Sequence, residues 1–249
     1  MRRTARVARC YTDQTLQANS EIELDKRCSH HLSTVLRARI GQAVELFNGD
    51  GNNYQGQLLS TGKKTMVAIA QCIENDVESA LSITLIQAIA RGDKMDGIVQ
   101  KATELGVSVI QPVYTTLSIA KLEPARALKK QAHWQSVVIS ACEQSGRSKL
   151  PNVLPIQTLD HYLRSCESAP ANEQRWVLSP AAQKTINNID SITDASVLIG
   201  PESGFNADEL HAATNAGFEE LQLGPRVLRT ETAGPASIAI LQARFGDMS

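Results

Sequence analysis

The stretch LQLGPRVLRTETAGPASIAILQARFG, residues 221–246, decides how the rest of the chain is interpreted. It begins as an apolar strand end, turns at Gly224 and Pro225, and then presents Arg226, Arg229 and Glu231. It continues into a predicted helix with apolar residues at Ile238, Leu241 and Phe245. Because ligands bind in the loops that follow strands of an α/β sheet, we expect this turn to belong to a binding site.

A second stretch, LIGPESGFNADE at residues 198–209, has the same order of strand, glycine-proline turn and helix. A third, WVLSP at residues 176–180, is a predicted strand that also ends in a proline-containing turn. In a parallel sheet the carboxyl ends of the strands lie at one edge, so the three loops are expected to converge there. Glycine in such loops lets the backbone approach a ligand closely. The alternative is that all three are only tight connections between elements.

The pattern of apolar residues changes along the chain. Residues 1–75 contain short, partly alternating apolar runs separated by turn residues, with one predicted helix at residues 26–39 whose apolar face is Leu32, Val35 and Leu36. This favours a small β-barrel-like module. From Leu81 onward strands alternate with helices, which predicts a mostly parallel sheet with helices on both faces. The fold class is therefore α/β, with domains at residues 1–75 and 76–249 and an acidic linker, ENDVESA, between them.

Composition excludes several classes of protein. The chain is 42% hydrophobic and 20% charged, as is usual for a globular protein, and no apolar run is long enough for a transmembrane helix. The basic N-terminus lacks the apolar segment of a secretory signal. Five cysteines without a CxxC pair argue against a zinc site or a disulfide framework, and we expect a cytoplasmic protein.

Charge is unevenly distributed although the net charge is only −1. Residues 1–40 carry eight basic and four acidic residues, and residues 121–149 carry six and two, so each zone is +4. The two zones could form one nucleic-acid-binding surface or two solvated faces.

Familiar catalytic motifs are missing. There is no GxGxxG, Walker A or GxSxG pattern, and the histidines lack metal-ligand spacing, so no metal is expected. Glu202 and Glu231 are the carboxylates best placed for proton handling. Both also precede predicted helices, where they could simply stabilise a helix N-terminus.

Four segments together resemble one family over essentially the whole chain. They are GDKMDGIVQKATELGV (92–107), ACEQSGRSKLPNV (141–153), LIGPESGFNADEL (198–210) and LGPRVLRTETA (223–233). They are similar to the RsmE family, SPOUT-class enzymes that methylate N3 of a uridine in small-subunit (16S) ribosomal RNA with S-adenosyl-L-methionine.

The resemblance implies an N-terminal PUA-like RNA-binding module containing HLSTVLR (31–37) and a C-terminal domain with a deep trefoil knot that holds the cofactor. Such a knot is an exception to the rule that chains are not threaded. It also implies a homodimer acting in the cytoplasm on 16S ribosomal RNA within the small subunit, without a membrane or a metal.

The resemblance also implies roles for individual residues. Arg229 would stabilise the uridinate or bind an adjacent phosphate, and Glu231 would act as a base or orient Arg229. The cofactor-binding positions would be Leu178, Ser179, Pro180, Ile199, Gly200, Pro201, Glu202, Gly204, Leu223, Gly224, Pro225, Val227, Leu228 and Thr230. The RNA-binding positions would be Arg9, His31, Arg37, Arg147 and Lys149.

Three departures from the family pattern raise expectations of their own. Ser203 replaces a glycine, which would cost about 1 kcal/mol if the position needs a positive φ. Gly234-Pro235 follow TETA, so the last helix is expected to start late. A usual arginine is missing near Thr116-Leu117, which would remove an RNA contact. Two alternatives remain open: methylation of another RNA position such as a ribose 2′-hydroxyl, and a non-catalytic RNA-binding protein.

Overall fold

A computed structural model describes residues 7–62, 64–117, 122–166, 173–189 and 191–248. The chain divides into two compact units. Unit 1 comprises Met1–Glu78 and Cys142–Leu150, and unit 2 comprises Ser79–Ala141 and Pro151–Ser249. Unit 1 therefore includes Cys142–Leu150, a segment far beyond the predicted domain boundary between residues 75 and 76. The division into an RNA-binding domain at residues 1–75 and a methyltransferase domain at residues 76–249 stays a prediction.

Unit 1 is built around a five-stranded mixed sheet in the order β1-β3-β4-β5-β2. Strands β1 and β3 are parallel, and the other pairs are antiparallel. The strands are β1 (Ala8–Tyr11), β2 (Ser20–Glu23), β3 (Ala43–Phe47), β4 (Asn52–Ser60) and β5 (Met66–Glu74). Leu46, Leu58 and Val67 are fully buried in its aliphatic core. The strand-rich N-terminal module is confirmed.

The helix predicted at residues 26–39 is shorter and changes type. Helix α1 (Lys26–His30) continues as a π-helical turn, His31–Val35. The Leu36 N–H donates to the His31 carbonyl at 2.9 Å, the i to i+5 bond of a π turn. The wider turn rotates the later side chains outward, so Leu32 is buried but Val35 and Leu36 are exposed. The predicted apolar face is therefore wrong at Val35 and Leu36.

Two of the five cysteines lie close together in unit 1. Cys10 of β1 and Cys28 of α1 are both buried, and their Cα atoms are 6.0 Å apart, a separation that a disulfide can span. Their separation of 18 residues carries no recognisable motif. Tertiary packing of the strand against the helix, which the sequence pattern did not specify, brings them together.

Unit 2 contains a parallel sheet in the order β12-β10-β11-β6-β7-β8, with β9 also paired to β7. Its strands are β6 (Ser82–Ala88), β7 (Val109–Tyr114), β8 (Asn152–Val153), β9 (Gln157–Thr158), β10 (Gln174–Leu178), β11 (Asp194–Ile199) and β12 (Glu219–Leu221). The remaining helices are α2 (Lys94–Glu104), α3 (Pro124–Ser145), α4 (Leu159–Ser165), α5 (Ala207–Asn215) and α6 (Thr230–Phe245). The predicted parallel α/β sheet is confirmed.

Helices cover both faces of this sheet. Ile86 and Ala88 of β6 belong to a core cluster that includes Leu159 and Leu163 of α4. Side chains alternate along a strand, so Leu85 and Gln87 point to the opposite face. There a Cβ added at Gly234 of α6 would lie 3.2 Å from Gln87 Oε1 and 3.5 Å from Leu85.

Helix α6 starts earlier than predicted. It begins at Thr230 and includes Pro235, so the expectation of a late start is wrong. Pro235 lacks the N–H that would donate to the Glu231 carbonyl, and its ring crowds that carbonyl, yet the helix continues to Phe245. The close approach to Gln87 gives Gly234 a packing role. The Gly-Pro pair is therefore accommodated inside the helix.

Register aligns the three loops singled out in the sequence. In the sheet β10 lies between β12 and β11, with Leu178 opposite Leu221 and Val177 opposite Leu198. The carboxyl ends of these strands are thus adjacent. The loops that follow them start side by side.

Candidate active site

A cavity of about 530 Å³ opens at these strand ends within unit 2. Its walls come from the loops after β10, β11 and β12 and from the first turn of α6. Every predicted cofactor-binding residue except Pro225 lines it, as do Arg229 and Glu231. Pro225 is exposed on the same loop. The structure therefore gathers into one cavity residues that the sequence spreads over more than fifty positions.

Glycines shape the turns of this cavity. Gly204 and Gly224 have φ angles of 72° and 129°, which L side chains rarely adopt. Ser203 does not have a positive φ, because Asn19 and Arg37 are the non-glycine residues with positive φ among those the structure describes. The strain expected from serine in this loop is therefore absent, and Gly204 takes the left-handed position.

A buried hydrogen-bond chain joins three segments around the cavity. The Thr230 hydroxyl donates to the Gly200 carbonyl at 2.7 Å and accepts from Gln87 Nε2 at 2.9 Å. Gln87 is fully buried on β6. Sequence reasoning missed it, although a glutamine inside an otherwise apolar strand is a recognisable signal.

A charged cluster lies at the same site. Lys94 Nζ lies 3.0 Å from Glu202 Oε1 and 3.2 Å from Glu231 Oε2. The main-chain N–H of Arg91 donates to Glu202 Oε1 at 3.1 Å, and Arg229 lies 4.0 Å from Glu231. Lys94 was missed as a site residue. Its position in GDKMDG, in the segment that leads from the carboxyl end of β6 into α2, was the available signal.

The pKa shifts of Lys94, Glu202 and Glu231 all favour the charged forms of these residues. The hydrogen bond to Glu202 raises the pKa of Lys94. Partial burial raises the pKa of Glu202, but bonds from its own main-chain N–H, Lys94 and Arg91 outweigh it, and the pKa is lowered overall. The pKa of Glu231 is lowered by its own main-chain N–H and then by Lys94. A carboxylate with a lowered pKa is a poor proton acceptor, which favours an orienting role for Glu231 over that of a base.

Two residues predicted to bind RNA are engaged inside unit 1. Arg9 is ion-paired to Glu45 at 3.2 Å and donates to Ser148 Oγ at 3.0 Å, and burial lowers its pKa. Arg147 is buried and ion-paired with Glu78 at 2.6 Å. These contacts favour structural roles for both arginines.

The other predicted RNA-binding residues are more accessible. Arg37 and Lys149 are exposed, and Arg37 has a left-handed φ of 50°. His31 is partly buried, with Nε2 3.7 Å from a Glu143 oxygen. The family usually has an arginine near Thr116 and Leu117. In this chain both residues follow β7, and Leu117 is exposed.

Residues 7–62, 64–117, 122–166, 173–189 and 191–248 contain no cluster of three or more histidine, cysteine or acidic side chains that could hold a metal. None of the helices in this part of the chain combines the length and the apolar character needed to cross a bilayer.

Comparison with known proteins places this geometry in a family. A model described as RNA methyltransferase domain matches residues 77–242, and one described as RNA methyltransferase PUA domain matches residues 24–71. Ribosomal RNA small subunit methyltransferase E of Buchnera aphidicola subsp. Schizaphis graminum is 36% identical over 98% of this chain and 99% of its own. The chain belongs to the RsmE family of RNA methyltransferases.

Other members of the RsmE family agree in sequence and in fold. The Bacillus subtilis enzyme of the same name is 27% identical over 82% of each chain. A crystal structure of the Neisseria gonorrhoeae enzyme bound to S-adenosyl methionine has a TM-score of 0.90 and 37% identity, covering 98% of this chain and 100% of that one. The predicted family and its PUA-plus-α/β architecture are confirmed.

Proposed function

We propose that this RsmE family member methylates N3 of a uridine in 16S ribosomal RNA, with S-adenosyl-L-methionine as the methyl donor. The observation that carries the proposal is the convergence of the loops after β10, β11 and β12 on one cavity beside Arg229. A relative with the same fold was crystallised with this cofactor.

The cavity fits such a cofactor. Its volume of about 530 Å³ lies within the range of small-molecule sites. Apolar side chains including Leu178, Ile199 and Leu223 would contact the adenine ring and ribose, and the glycine turns would let main-chain polar groups approach a ligand closely. When bound, S-adenosyl-L-methionine supplies an electrophilic methyl group, which ends on N3 as the N3 proton is lost and S-adenosylhomocysteine remains.

The chain's own task is to stabilise the uridinate that forms when N3 loses its proton. The Arg229 side chain is 82% exposed and its guanidinium carries a permanent positive charge. Arg229 is also the N-cap of α6 and makes no side-chain capping bond, so the first turn presents its positive dipole end at the cavity. Because the Glu231 carboxylate is already ion-paired with Lys94, we assign the N3 proton to solvent and Glu231 to orienting Arg229.

RNA would be bound by unit 1, which carries the PUA domain. The exposed Arg37 and Lys149 are placed to neutralise phosphates, and the partly accessible His31 precedes the turn that displays Arg37. We keep Arg9 and Arg147 as residues that hold this surface together.

A homodimer, a trefoil knot and a cytoplasmic location belong to the same proposal. Residues 225–229 form a continuous exposed run beside the cavity, with Val227 79% exposed, which suits burial by a second copy. Sedimentation would report a mass of two chains.

A mechanical measurement tests the knot. Pulling the protein by its termini would give a contour length shorter than that of an unthreaded chain of 249 residues. Ribosomal RNA as substrate implies action in the cytoplasm.

Transfer of tritiated methyl groups tests the function. The purified protein should label small subunits from cells that lack it, and should label subunits from cells that contain it far less. Absence of label, together with absence of heat on titration with S-adenosylhomocysteine, would favour the non-catalytic RNA-binding alternative. Label at a ribose 2′-hydroxyl would favour the other alternative.

A further inference from the structure

The geometry points to Lys94 as a positioning residue that holds the cofactor loop and the uridine-facing turn in one arrangement. This inference rests on the proposed function and extends it to a residue outside the three loops. Lys94 is the first residue of α2, Glu202 lies in the loop after β11, and Glu231 lies in the first turn of α6. One ammonium group thus joins three separate segments.

Two short distances from Lys94 Nζ define the contact between these segments. Lys94 Nζ lies 3.0 Å from a Glu202 oxygen and 3.2 Å from a Glu231 oxygen, so the two carboxylates cannot be farther apart than the sum of these distances. Two carboxylates that close repel each other unless a cation lies between them. Lys94 therefore fixes the spacing between the loop that would hold the cofactor and the residue beside Arg229.

The second contact reaches a buried oxygen. Glu231 Oε2 is buried, and Lys94 lies within ion-pair distance of it at 3.2 Å. Arg229 faces the other oxygen of the same carboxylate, Oε1, at 4.0 Å. Lys94 therefore holds one oxygen of Glu231 while the other faces Arg229.

Few groups other than Lys94 neutralise the Glu202 and Glu231 carboxylates. Glu202 is faced by Lys94 and by the Arg91 main-chain N–H, and Glu231 is faced by Lys94 and, at 4.0 Å, by Arg229. The positive charges of Lys94 and Arg229 balance the negative charges of Glu202 and Glu231. Removing Lys94 leaves two neighbouring carboxylates with one more distant cation.

The sign of the expected pH effect follows from this balance. In the wild-type protein the pKa values of Glu202 and Glu231 are lowered, so both stay ionised as the pH falls through the mildly acidic range. Without Lys94 their pKa values rise, and the ionised arrangement is lost at higher pH on acidification. The acidic limb of the activity profile should therefore move to higher pH.

The test compares Lys94→Met with Lys94→Arg, which keeps the charge, and with Lys101→Met, a matched substitution of an exposed lysine on the same helix. Methyl transfer to small subunits is measured across pH, S-adenosylhomocysteine affinity by calorimetry, and the glutamate side-chain pKa values by carbon-13 NMR. For Lys94→Met we expect kcat to fall about 100-fold and cofactor-product affinity less than about tenfold, since misplacement affects the chemical step most. The acidic limb of the pH–activity profile should move to higher pH, and the pKa values of Glu202 and Glu231 should rise with it.

Lys94→Arg should restore most of the rate, and Lys101→Met should behave like wild type. An unchanged acidic limb and unchanged glutamate pKa values in folded Lys94→Met would overturn the positioning role even if the rate falls. If the wild-type protein labels no RNA, the proposed function fails, whereas the NMR comparison still decides whether Lys94 organises the two carboxylates.

Discussion

The Thr230 hydroxyl lies 2.7 Å from the Gly200 carbonyl oxygen and joins the first turn of α6 to the loop after β11. Thr230 is buried, and the same hydroxyl accepts a hydrogen bond from Gln87. One short side chain thereby connects a strand, a cofactor-cavity loop and the helix that begins beside Arg229. We therefore expect the relative position of the two halves of the proposed site to depend on this side chain.

Replacing Thr230 with valine keeps the shape of the side chain but removes the hydroxyl. The Gln87 amide and the Gly200 carbonyl then lose a partner, so we expect the free energy of unfolding to fall by about 1–3 kcal/mol and S-adenosylhomocysteine to bind more weakly. Denaturant titration and calorimetry measure the two effects. Thr230→Ser should restore both, and wild-type values in the valine variant would show that this bond does not organise the cavity.

Removing the Arg229 side chain should separate catalysis from cofactor binding. The side chain is exposed, so Arg229→Ala should fold normally. We expect kcat for methyl transfer to fall about 100- to 1,000-fold, as on removal of a group that stabilises a developing anion, with S-adenosylhomocysteine affinity nearly unchanged. Arg229→Lys, which keeps the charge without the planar guanidinium, should be intermediate. Equal losses of turnover and affinity would contradict the catalytic assignment.

The glycine of the PESG loop and its serine neighbour should respond differently. Gly204 has a φ of 72° with no atom near an added Cβ, so Gly204→Ala should cost about 1 kcal/mol of stability through backbone strain alone. Ser203 lacks a positive φ, so Ser203→Gly should bring no gain in stability or in affinity for S-adenosylhomocysteine. Tighter binding by the Ser203→Gly variant would mean that serine constrains this loop after all.

Arg37 combines backbone strain with an exposed charge. Its φ of 50° favours glycine, so Arg37→Gly should be about 1–2 kcal/mol more stable than Arg37→Ala. Both variants should bind 16S ribosomal RNA more weakly, with the slope of log affinity against log salt reduced by about 1. Filter binding at several salt concentrations checks this. Unchanged salt dependence in both variants would remove Arg37 from the RNA surface.

The sequence predicted the features that follow from local patterns. Alternation of apolar strands and helices predicted the parallel sheet, and because parallel strands share an edge, the three proline-containing loops could be expected to meet there. Gly224 and the PESG loop were found in this way.

Features that depend on long-range packing were not predicted. Lys94 lies 108 residues from Glu202, and only tertiary structure brings the two together. Counting charged residues along the sequence could not show that Arg147 is buried and Arg9 partly buried, and not both on the surface. The π turn that exposes Val35 and Leu36 was also missed, because a helical period of 3.6 was assumed throughout the segment.

The identity of the methylated nucleoside tests the central claim most directly. Small subunits from cells lacking the protein would be incubated with it and with tritiated S-adenosyl-L-methionine, and their 16S ribosomal RNA digested to nucleosides. The account predicts a single labelled product, N3-methyluridine, which is lost with Arg229→Ala while S-adenosylhomocysteine still binds. Label in a 2′-O-methyl nucleoside, or undiminished N3-methyluridine from the alanine variant, would contradict it.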